Sequence, residues 1–457
     1  MTEAPPNTPP EAPLVPAGPV RPLGVIERAF EIFNEKGLLT PVVVAHLRGR
    51  VPLDALQRAA VWVQTRHPML QMRILHDEAG TPFFHRGAPQ VQVGFRVEPH
   101  HLWTTAGDDA VHRSFNSPEG PLWTVDLVYP TEQERDTCVI VLAFHHAIED
   151  GGTASLVLTE LLAYARSVHH GTPLPPPETH PMLPPVEELT GARLSFGRKL
   201  LVLLFAIARI VKIARAPDLI LEAPDAPFAE RRSHLICLDL DRETTKALLA
   251  RCREHGTTMH GAFCAAMMLT GAPRVQGRKV VKLQCDTSIS IRNDCKPPVA
   301  DDRVGLYFST VSRVFTIRPD TEFWELASRA RREIAERIAK EDPIHNPLLL
   351  NWVKPDLLRA HMTHAPGRQQ ALFISNLGRY AYPDDKADLY RLESFYCASG
   401  QHGSGACFWL GAATVNGVLN LSFVYVHPHL SHATAQAMAA EVVDRLRRAA
   451  GPPLLPA

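Results

Sequence analysis

Two adjacent histidines, followed by an aspartate and two glycines, form the segment of this 457-residue chain that is best suited to chemistry. The segment reads His145-His146-Ala147-Ile148-Glu149-Asp150-Gly151-Gly152 and follows a nearly continuous apolar run. An unperturbed histidine has a pKa of about 6.5 and is largely neutral at pH 7, which suits a general base. Side chains alternate across a strand, so His145 and His146 should face opposite sides. Only one of them can therefore point into a given cleft.

Asp150 has two candidate roles. It could orient an imidazole, or it could pair with a cation and brace the loop. Gly151 and Gly152 let the backbone turn tightly into a following helix. A spacing of four residues through a turn is compatible with either role, so the residues by themselves leave both open.

The elements that must position this segment follow from apolar spacing and turn residues. Thr137–Phe144 is predicted to be a strand covered on both faces, and Thr153–Val168 a helix. Val415-Asn416-Gly417 between two apolar runs predicts a β-hairpin. The remaining predicted strands are Pro41–Leu47, Gly120–Val128, Ser233–Leu238, Val280–Cys285, Val304–Ile317, Ala371–Ile374, Glu393–Cys397, Phe408–Thr414 and Val418–Val424. The remaining predicted helices are Pro52–Arg66, Arg242–His255, Met259–Thr270 and Ser431–Ala449.

The chain is long enough for two domains, and proline density marks their limits. Residues 1–22 are predicted to be an unstructured proline-rich tail. Residues 23–170 form an N-terminal lobe that carries the histidine segment, and residues 231–457 form a C-terminal lobe. Residues 171–230 are a proline-rich crossover that contains an apolar helix. The predicted fold class is therefore α/β, with two halves of mixed α/β structure.

Charge and targeting signals exclude several classes of protein. The chain has 48 Lys+Arg and 48 Asp+Glu, without the basic excess of a nucleic-acid-binding protein. The start of the chain lacks the features of a signal peptide. The most apolar run, residues 200–208, is too short to span a bilayer, which takes about 20 residues. It is predicted either to pack as a helix under the domain linker or to form a surface that guides a lipophilic substrate or, as part of residues 199–213, makes peripheral contact with lipid.

The 8 cysteines are scattered without a C-x-x-C pair, which favours free thiols in a reducing compartment and a cytoplasmic protein. No spacing of ligands suggests a metal site. The sequence also lacks the G-x-S-x-G elbow, the phosphate-binding loop and the dinucleotide-binding glycines. Serine hydrolases, nucleotide phosphotransferases and Rossmann dehydrogenases are therefore minor alternatives.

The segment His145–Gly151 resembles the HHxxxDG signature of acyltransferases related to chloramphenicol acetyltransferase. This superfamily includes condensation domains, polyketide-associated acyltransferases and alcohol acetyltransferases. Other segments resemble elements of the superfamily in the expected order, namely Arg66-His67-Pro68-Met69-Leu70, Gly120-Pro121-Leu122-Trp123, His255-Gly256-Thr257-Thr258-Met259-His260-Gly261-Ala262 and Ile374-Ser375-Asn376-Leu377-Gly378. The last of these is similar to the SNxG element of the polyketide-associated and alcohol acetyltransferase branches. The resemblance extends over about residues 22–450.

The resemblance implies two chloramphenicol-acetyltransferase-like lobes in a V shape, with an active-site tunnel between them. It implies that His146 is the catalytic base and that His145 is structural. Asp150, with Gly151 beside it, would support the site by pairing with Arg292 of the second lobe. A bidentate carboxylate–guanidinium pair would fix the loop that carries His146. Ser375 or Asn376 is a candidate oxyanion donor or tunnel residue.

Three functional hypotheses follow. The first is transfer of an acyl group from acyl-CoA or an acyl-carrier protein to a hydroxyl of a hydrophobic secondary metabolite or lipid. The thioester is a co-substrate in this hypothesis, and no cofactor or metal is expected. The second is a free-standing condensation enzyme that forms an amide between carrier-bound substrates. The third is a non-catalytic relative that binds carrier proteins or lipids, which His146 and Asp150 argue against.

Overall fold

The computed structural model describes residues 18–132, 136–173, 180–191, 220–275, 277–363, 372–380, 382, 389–403 and 405–451. Residues 199–213, for which lipid contact was one alternative, lie outside these ranges, as do residues 1–17 of the predicted tail and part of the predicted crossover. Among the described residues, no helix combines the length and the apolar content needed to span a bilayer.

Helices and strands alternate along most of the described chain. The helices are α1 Val25–Asn34, α2 Leu53–Arg66, α3 Trp103–Ala110, α4 Gly151–His169, α5 Val186–Leu189, α6 Arg242–Glu254, α7 Met259–Gly271, α8 Phe323–Ala339, α9 Asp342–His345, α10 Pro355–Thr363 and α11 His432–Ala450. The strands are β1 Gly18–Pro22, β2 Pro41–Arg48, β3 Met72–His76, β4 Pro82–Arg86, β5 Val93–Glu98, β6 Trp123–Pro130, β7 Thr137–Phe144, β8 Arg232–Leu240, β9 Val281–Ser290, β10 Phe308–Ile317, β11 Leu372–Tyr380, β12 Arg391–Ser399, β13 Phe408–Val415 and β14 Val418–His427.

Two large sheets define the two lobes. The N-lobe sheet has the strand order β12-β2-β7-β6-β5, and the C-lobe sheet has the order β10-β9-β11-β13-β14-β8. Both sheets are mixed, because β5 runs parallel to β6, and β11 runs parallel to both β9 and β13. A third sheet, β1-β4-β3, has three strands. The predicted fold class, mixed α/β structure in two lobes, is confirmed.

Each lobe has its own hydrophobic core. In the N-lobe, every residue of β7 after Thr137 is buried, as its apolar composition predicts for a central strand. In the C-lobe, α7 is apolar on all sides and is buried along nearly its whole length. The predicted hairpin is also present, since Asn416 and Gly417 both adopt positive φ and join β13 to β14.

The structure corrects the lobe boundaries in two places. Five residues of the predicted tail form β1, which pairs with β4, and Arg21 there forms an ion pair with Glu27. The strand β12 belongs to the C-terminal half of the chain but pairs with β2 of the N-lobe sheet. This pairing satisfies the hydrogen-bonding groups on the edge of β2. The C-terminal half therefore completes the N-lobe sheet, which joins the two lobes.

The crossing of β12 over the C-lobe sheet requires a residue without a side chain. A Cβ atom added at Gly411 of β13 would collide with the carbonyl oxygen of Cys397 on β12.

We expect Gly411→Ala to lower the free energy of unfolding by about 1–3 kcal/mol, because the two strands must separate. Urea unfolding measures this change. Gly18→Ala is the matched control, since nothing lies within 4 Å of the added atom. Equal stability of the two variants would contradict this packing.

Candidate active site

The side chains of the two histidines at the end of β7 point in different directions. His145 directly follows the strand, and His146–Ile148 form a short 3-10 turn before Asp150 begins α4. The side chain of His145 is fully buried, whereas that of His146 is 15% exposed and lines a cavity. His145 packs towards α1 instead, so the two imidazole rings lie in different environments.

The tautomer of His145 follows from its two contacts. Its Nδ1 accepts a hydrogen bond of 3.0 Å from the backbone N–H of Ala147, so its proton lies on Nε2. Nε2 donates to the carboxylate of Glu31 on α1 at 2.8 Å, and Ser117 donates to the same oxygen at 2.9 Å. Burial opposes ionisation of Glu31, but the hydrogen bonds from His145 and Ser117, with the attraction of His145 and His76, together outweigh it and lower the pKa of the carboxyl. His145 therefore anchors the motif to α1.

The imidazole of His146 packs against aromatic rings from both lobes. Its centroid is 4.1 Å from that of Phe30 on α1 and 5.1 Å from that of Phe308 on β10. Its Nδ1 lies 3.2 Å from the backbone carbonyl oxygen of Glu149, which can only accept, so the Nδ1 proton is used there. Nε2 is then the unprotonated nitrogen that can take a proton from a substrate.

Burial, with a smaller contribution from His145, lowers the pKa of His146 to about 4. Desolvation disfavours the charged form of an imidazole, which explains the direction. At neutral pH the ring is therefore an unprotonated base. Its proton affinity in the resting state is low, and any group that stabilises the imidazolium would strengthen it as a base.

A buried ion pair joins the motif to the second lobe. Arg292 donates to the two carboxylate oxygens of Asp150 from Nη2 at 2.8 Å and from Nε at 3.2 Å. The same carboxylate caps α4 by accepting from the backbone N–H of Thr153 at 2.8 Å, and it accepts from the backbone N–H of Tyr307 at 3.2 Å. Asp150 therefore braces the loop and does not contact the His146 ring through any of these hydrogen bonds.

Two further contacts close the lobes around this pair. Thr153 and Gly305 exchange hydrogen bonds, with Thr153 Oγ1 donating to the carbonyl of Gly305 at 2.9 Å and lying 3.0 Å from its backbone N–H. Gly151 packs against Leu377 of β11, where an added Cβ atom would overlap the leucine side chain. The absence of a side chain at Gly151 thus allows β11 to approach the start of α4.

The cavity that His146 lines has a volume of about 900 Å³ and receives residues from both lobes. Ser375 and Asn376 of β11 line it as well, which brings these two predicted residues into the same space as His146. The amide oxygen of Asn376 already accepts from the backbone N–H of Gly378 at 3.0 Å, while its NH₂ group remains a donor. Within the described ranges, no group of three or more histidine, cysteine or carboxylate side chains could hold a metal ion.

Sequence reasoning missed four residues at this site: Phe30, Glu31, Glu149 and Phe308. Two of them lie on α1, which was not predicted. A signal was available, because Ile26, Ala29, Phe30 and Phe33 have the spacing of an apolar helix face. Glu149 lies inside the motif, but at a position where the signature fixes no residue type.

Comparison with known proteins places this geometry in a family context. Residues 229–407 match the family described as "Phthiocerol/phthiodiolone dimycocerosyl transferase C-terminus". A probable alcohol acetyltransferase of Fusarium pseudograminearum is 24% identical over 430 residues, which cover 85% of this chain and 84% of the relative. The phthiocerol/phthiodiolone dimycocerosyl transferase of Mycobacterium bovis is 23% identical over 358 residues, which cover 73% of this chain and 78% of the relative.

Solved structures share the fold at lower identity. The trichothecene 15-O-acetyltransferase of Fusarium sporotrichioides superposes with a TM-score of 0.71 at 13% identity, covering 95% of each chain. The first condensation domain of the calcium-dependent antibiotic synthetase superposes with a TM-score of 0.67 at 15% identity, covering 95% of this chain and 97% of that domain.

The fold is the two-lobed, chloramphenicol-acetyltransferase-like one, and the similarity to these relatives supports acyltransferase activity. Its similarities are to polyketide-associated and alcohol acetyltransferases in sequence, and condensation domains share its fold. The predicted resemblance and the predicted enzyme class, acyltransferase, are confirmed.

The buried pair between the lobes gives a stability prediction. We expect Asp150→Asn to lower the free energy of unfolding by about 3 kcal/mol, because it leaves the guanidinium of Arg292 buried without its counter-charge. Urea unfolding measures the change. The exposed bidentate pair between Arg359 and Glu35 provides the control, and Glu35→Gln should cost no more than about 1 kcal/mol. An Asp150→Asn variant as stable as this control would rule out the bracing role.

The lowered pKa of His146 gives a second prediction. Its ring should stay neutral from about pH 8 down to about pH 5.5, where an ordinary histidine becomes protonated. The ¹⁵N shifts of labelled histidine report this directly, and the signal that disappears in His146→Asn assigns the residue. A His146 signal that titrates with a midpoint near 6.5 would show that the ring is not desolvated in the way the structure indicates.

Proposed function

We propose that this enzyme transfers an acyl group from a thioester, on CoA or on an acyl-carrier protein, to a hydroxyl group of a hydrophobic acceptor. His146 is the general base of this proposal. One observation carries it: a neutral imidazole, with Nε2 unprotonated, lines a cavity to which both lobes contribute. Such a base can serve two substrates that meet in the cavity.

The reaction requires one proton to move twice. Nε2 of His146 takes the proton of the acceptor hydroxyl as the oxygen attacks the thioester carbonyl carbon. The carbon–oxygen bond forms, the carbon–sulfur bond breaks, and the imidazolium returns the proton to the departing thiolate. The products are an ester and a free thiol, and no acyl-enzyme is needed. Ser375 or the NH₂ group of Asn376 would stabilise the negative charge on the carbonyl oxygen.

The cavity lining supports a hydrophobic acceptor. On the side of α1 the wall is apolar, with Ile26, Phe33 and Leu39 from the N-lobe and Leu350 and Leu358 from the C-terminal half. Apolar walls with a few polar groups are typical of sites for small lipophilic molecules. The names of the relatives agree with this chemistry, because one is a probable alcohol acetyltransferase and another a dimycocerosyl transferase.

The test is a turnover assay with purified protein. We expect release of free thiol from acyl-CoA or acyl-carrier protein when lipophilic alcohols are supplied, and His146→Ala should lower the rate by about 10²–10⁴-fold without loss of folding. His101→Ala, which removes an exposed histidine, is the control and should keep the wild-type rate.

The products and donors separate the alternatives. Mass spectrometry of the product distinguishes an ester from the amide that a condensation enzyme would form. Turnover with a carrier-bound thioester but not with acyl-CoA would fix the donor as a carrier protein. A His146→Ala variant that retains the wild-type rate would contradict the base role, and no turnover with any donor and acceptor would favour a binding protein.

A further inference from the structure

Glu149 has a buried carboxyl group with no evident structural purpose. Its side chain is 3% exposed, and its Oε2 atom has no hydrogen-bond partner among the described residues. That oxygen lies 3.4 Å from Nδ1 of His146, and the same nitrogen contacts the Glu149 backbone carbonyl. Unpaired buried carboxyl groups are costly, so this one needs an explanation.

The charged groups around Glu149 do not neutralise it. Arg292 donates to Asp150, and His145 donates to Glu31 of α1, so each of these groups has another anionic partner. The other titratable residues that line the cavity are Cys397 of β12, Arg379 and Tyr380 of β11, and Asp301. Burial, and secondarily the neighbouring charge of Asp150, raise the pKa of Glu149 well above its ordinary value, while Arg292 opposes the rise.

We propose that Glu149 is a positioning residue that acts through His146, its carboxyl group stabilising the imidazolium that forms during acyl transfer. This role rests on the proposed function. When Nε2 takes the acceptor's proton, the ring becomes cationic and its Nδ1–H can be shared between the backbone carbonyl and the Oε2 atom of Glu149. The Nδ1 proton stays on the ring, so no proton passes between the carboxyl group and the substrate.

The proposal has a pH signature. A carboxylate stabilises the imidazolium more than a neutral carboxyl does, because opposite charges attract strongly where water is excluded. This help is absent while Glu149 is protonated and appears as the pH rises through the raised pKa of its carboxyl group. The rate of the wild-type enzyme should therefore rise as Glu149 loses its proton.

Glu149→Gln tests this signature, because glutamine has the shape of the protonated side chain but never ionises. The kcat of the variant should approach the wild-type value at low pH and fall behind it as the pH rises, by about 10-fold or more at the alkaline end, with KM little changed. Glu187→Gln is the matched control: burial also raises the pKa of Glu187, but its carboxylate accepts from the backbone N–H of Val25, far along the chain from His146. This control should parallel the wild type at every pH.

A double-mutant cycle shows whether the effect passes through His146. In a His146→Ala background, Glu149→Gln should change kcat by less than about 2-fold at any pH, because the imidazolium is absent. An equal fall in both backgrounds would overturn the proposal and assign Glu149 a general structural role. A ratio of wild-type to Glu149→Gln rates that stays constant with pH would overturn it as well, while leaving the acyl transfer function intact.

Thermal unfolding supplies a readout that does not depend on turnover. The pKa of Glu149 is raised in the folded state, so the unfolded chain ionises first and the wild type loses stability as the pH rises above about 4.5. Glu149→Gln should therefore gain melting temperature over the wild type as the pH rises, and a difference that does not grow would contradict a buried, protonated Glu149. A wild type without acyltransferase activity would contradict both the proposed function and this role of Glu149. An active wild type whose rate ratio to Glu149→Gln stays constant with pH would contradict the role of Glu149 alone.

Discussion

A carboxylate and a guanidinium from opposite lobes hold the site in one arrangement. Asp150 both caps α4 and receives two hydrogen bonds from Arg292, so the segment that carries His146 is tied to the C-lobe. Breaking one partner of a buried pair is more costly than its net contribution to folding, because the other charge is left unpaired. The pair therefore specifies how the lobes meet more than it stabilises either lobe. The cavity, which Phe30 of the N-lobe and Phe308 of the C-lobe both line, depends on that arrangement.

Two neighbouring histidines acquire opposite properties from their surroundings. His145 is a hydrogen-bond donor to a carboxylate and is sealed from the cavity, while His146 is held neutral by burial against aromatic rings. The backbone decides each tautomer, through the N–H of Ala147 for one ring and the carbonyl of Glu149 for the other. In the proposed reaction, the low proton affinity of His146 means that the ring needs help to become cationic. We propose that Glu149, with Oε2 3.4 Å from Nδ1, provides it.

Much of the fold followed from the sequence, because its strongest signals are local. The apolar run of β7 and the Asn416-Gly417 turn each depend on a few adjacent residues, and both were predicted. The pairing of β12 with β2 could not be predicted, since apolar alternation reports that a segment is a strand but not which sheet edge it joins. At the site, the motif identified His146 and Asp150 as candidates, and the resemblance identified Arg292. The rings and carboxyl groups of α1 were missed because their role appears only when distant elements meet.

A structure of the enzyme with a stable thioester analogue in the cavity tests the central claim most directly. The account predicts that the carbonyl carbon of the analogue lies near Nε2 of His146, with room for an acceptor oxygen within hydrogen-bonding distance of that nitrogen, about 3 Å. We also expect Nδ1 of His146 to remain hydrogen-bonded to the backbone carbonyl of Glu149. An analogue whose carbonyl group lies away from the ring, or an imidazole that turns Nε2 out of the cavity, would contradict the account.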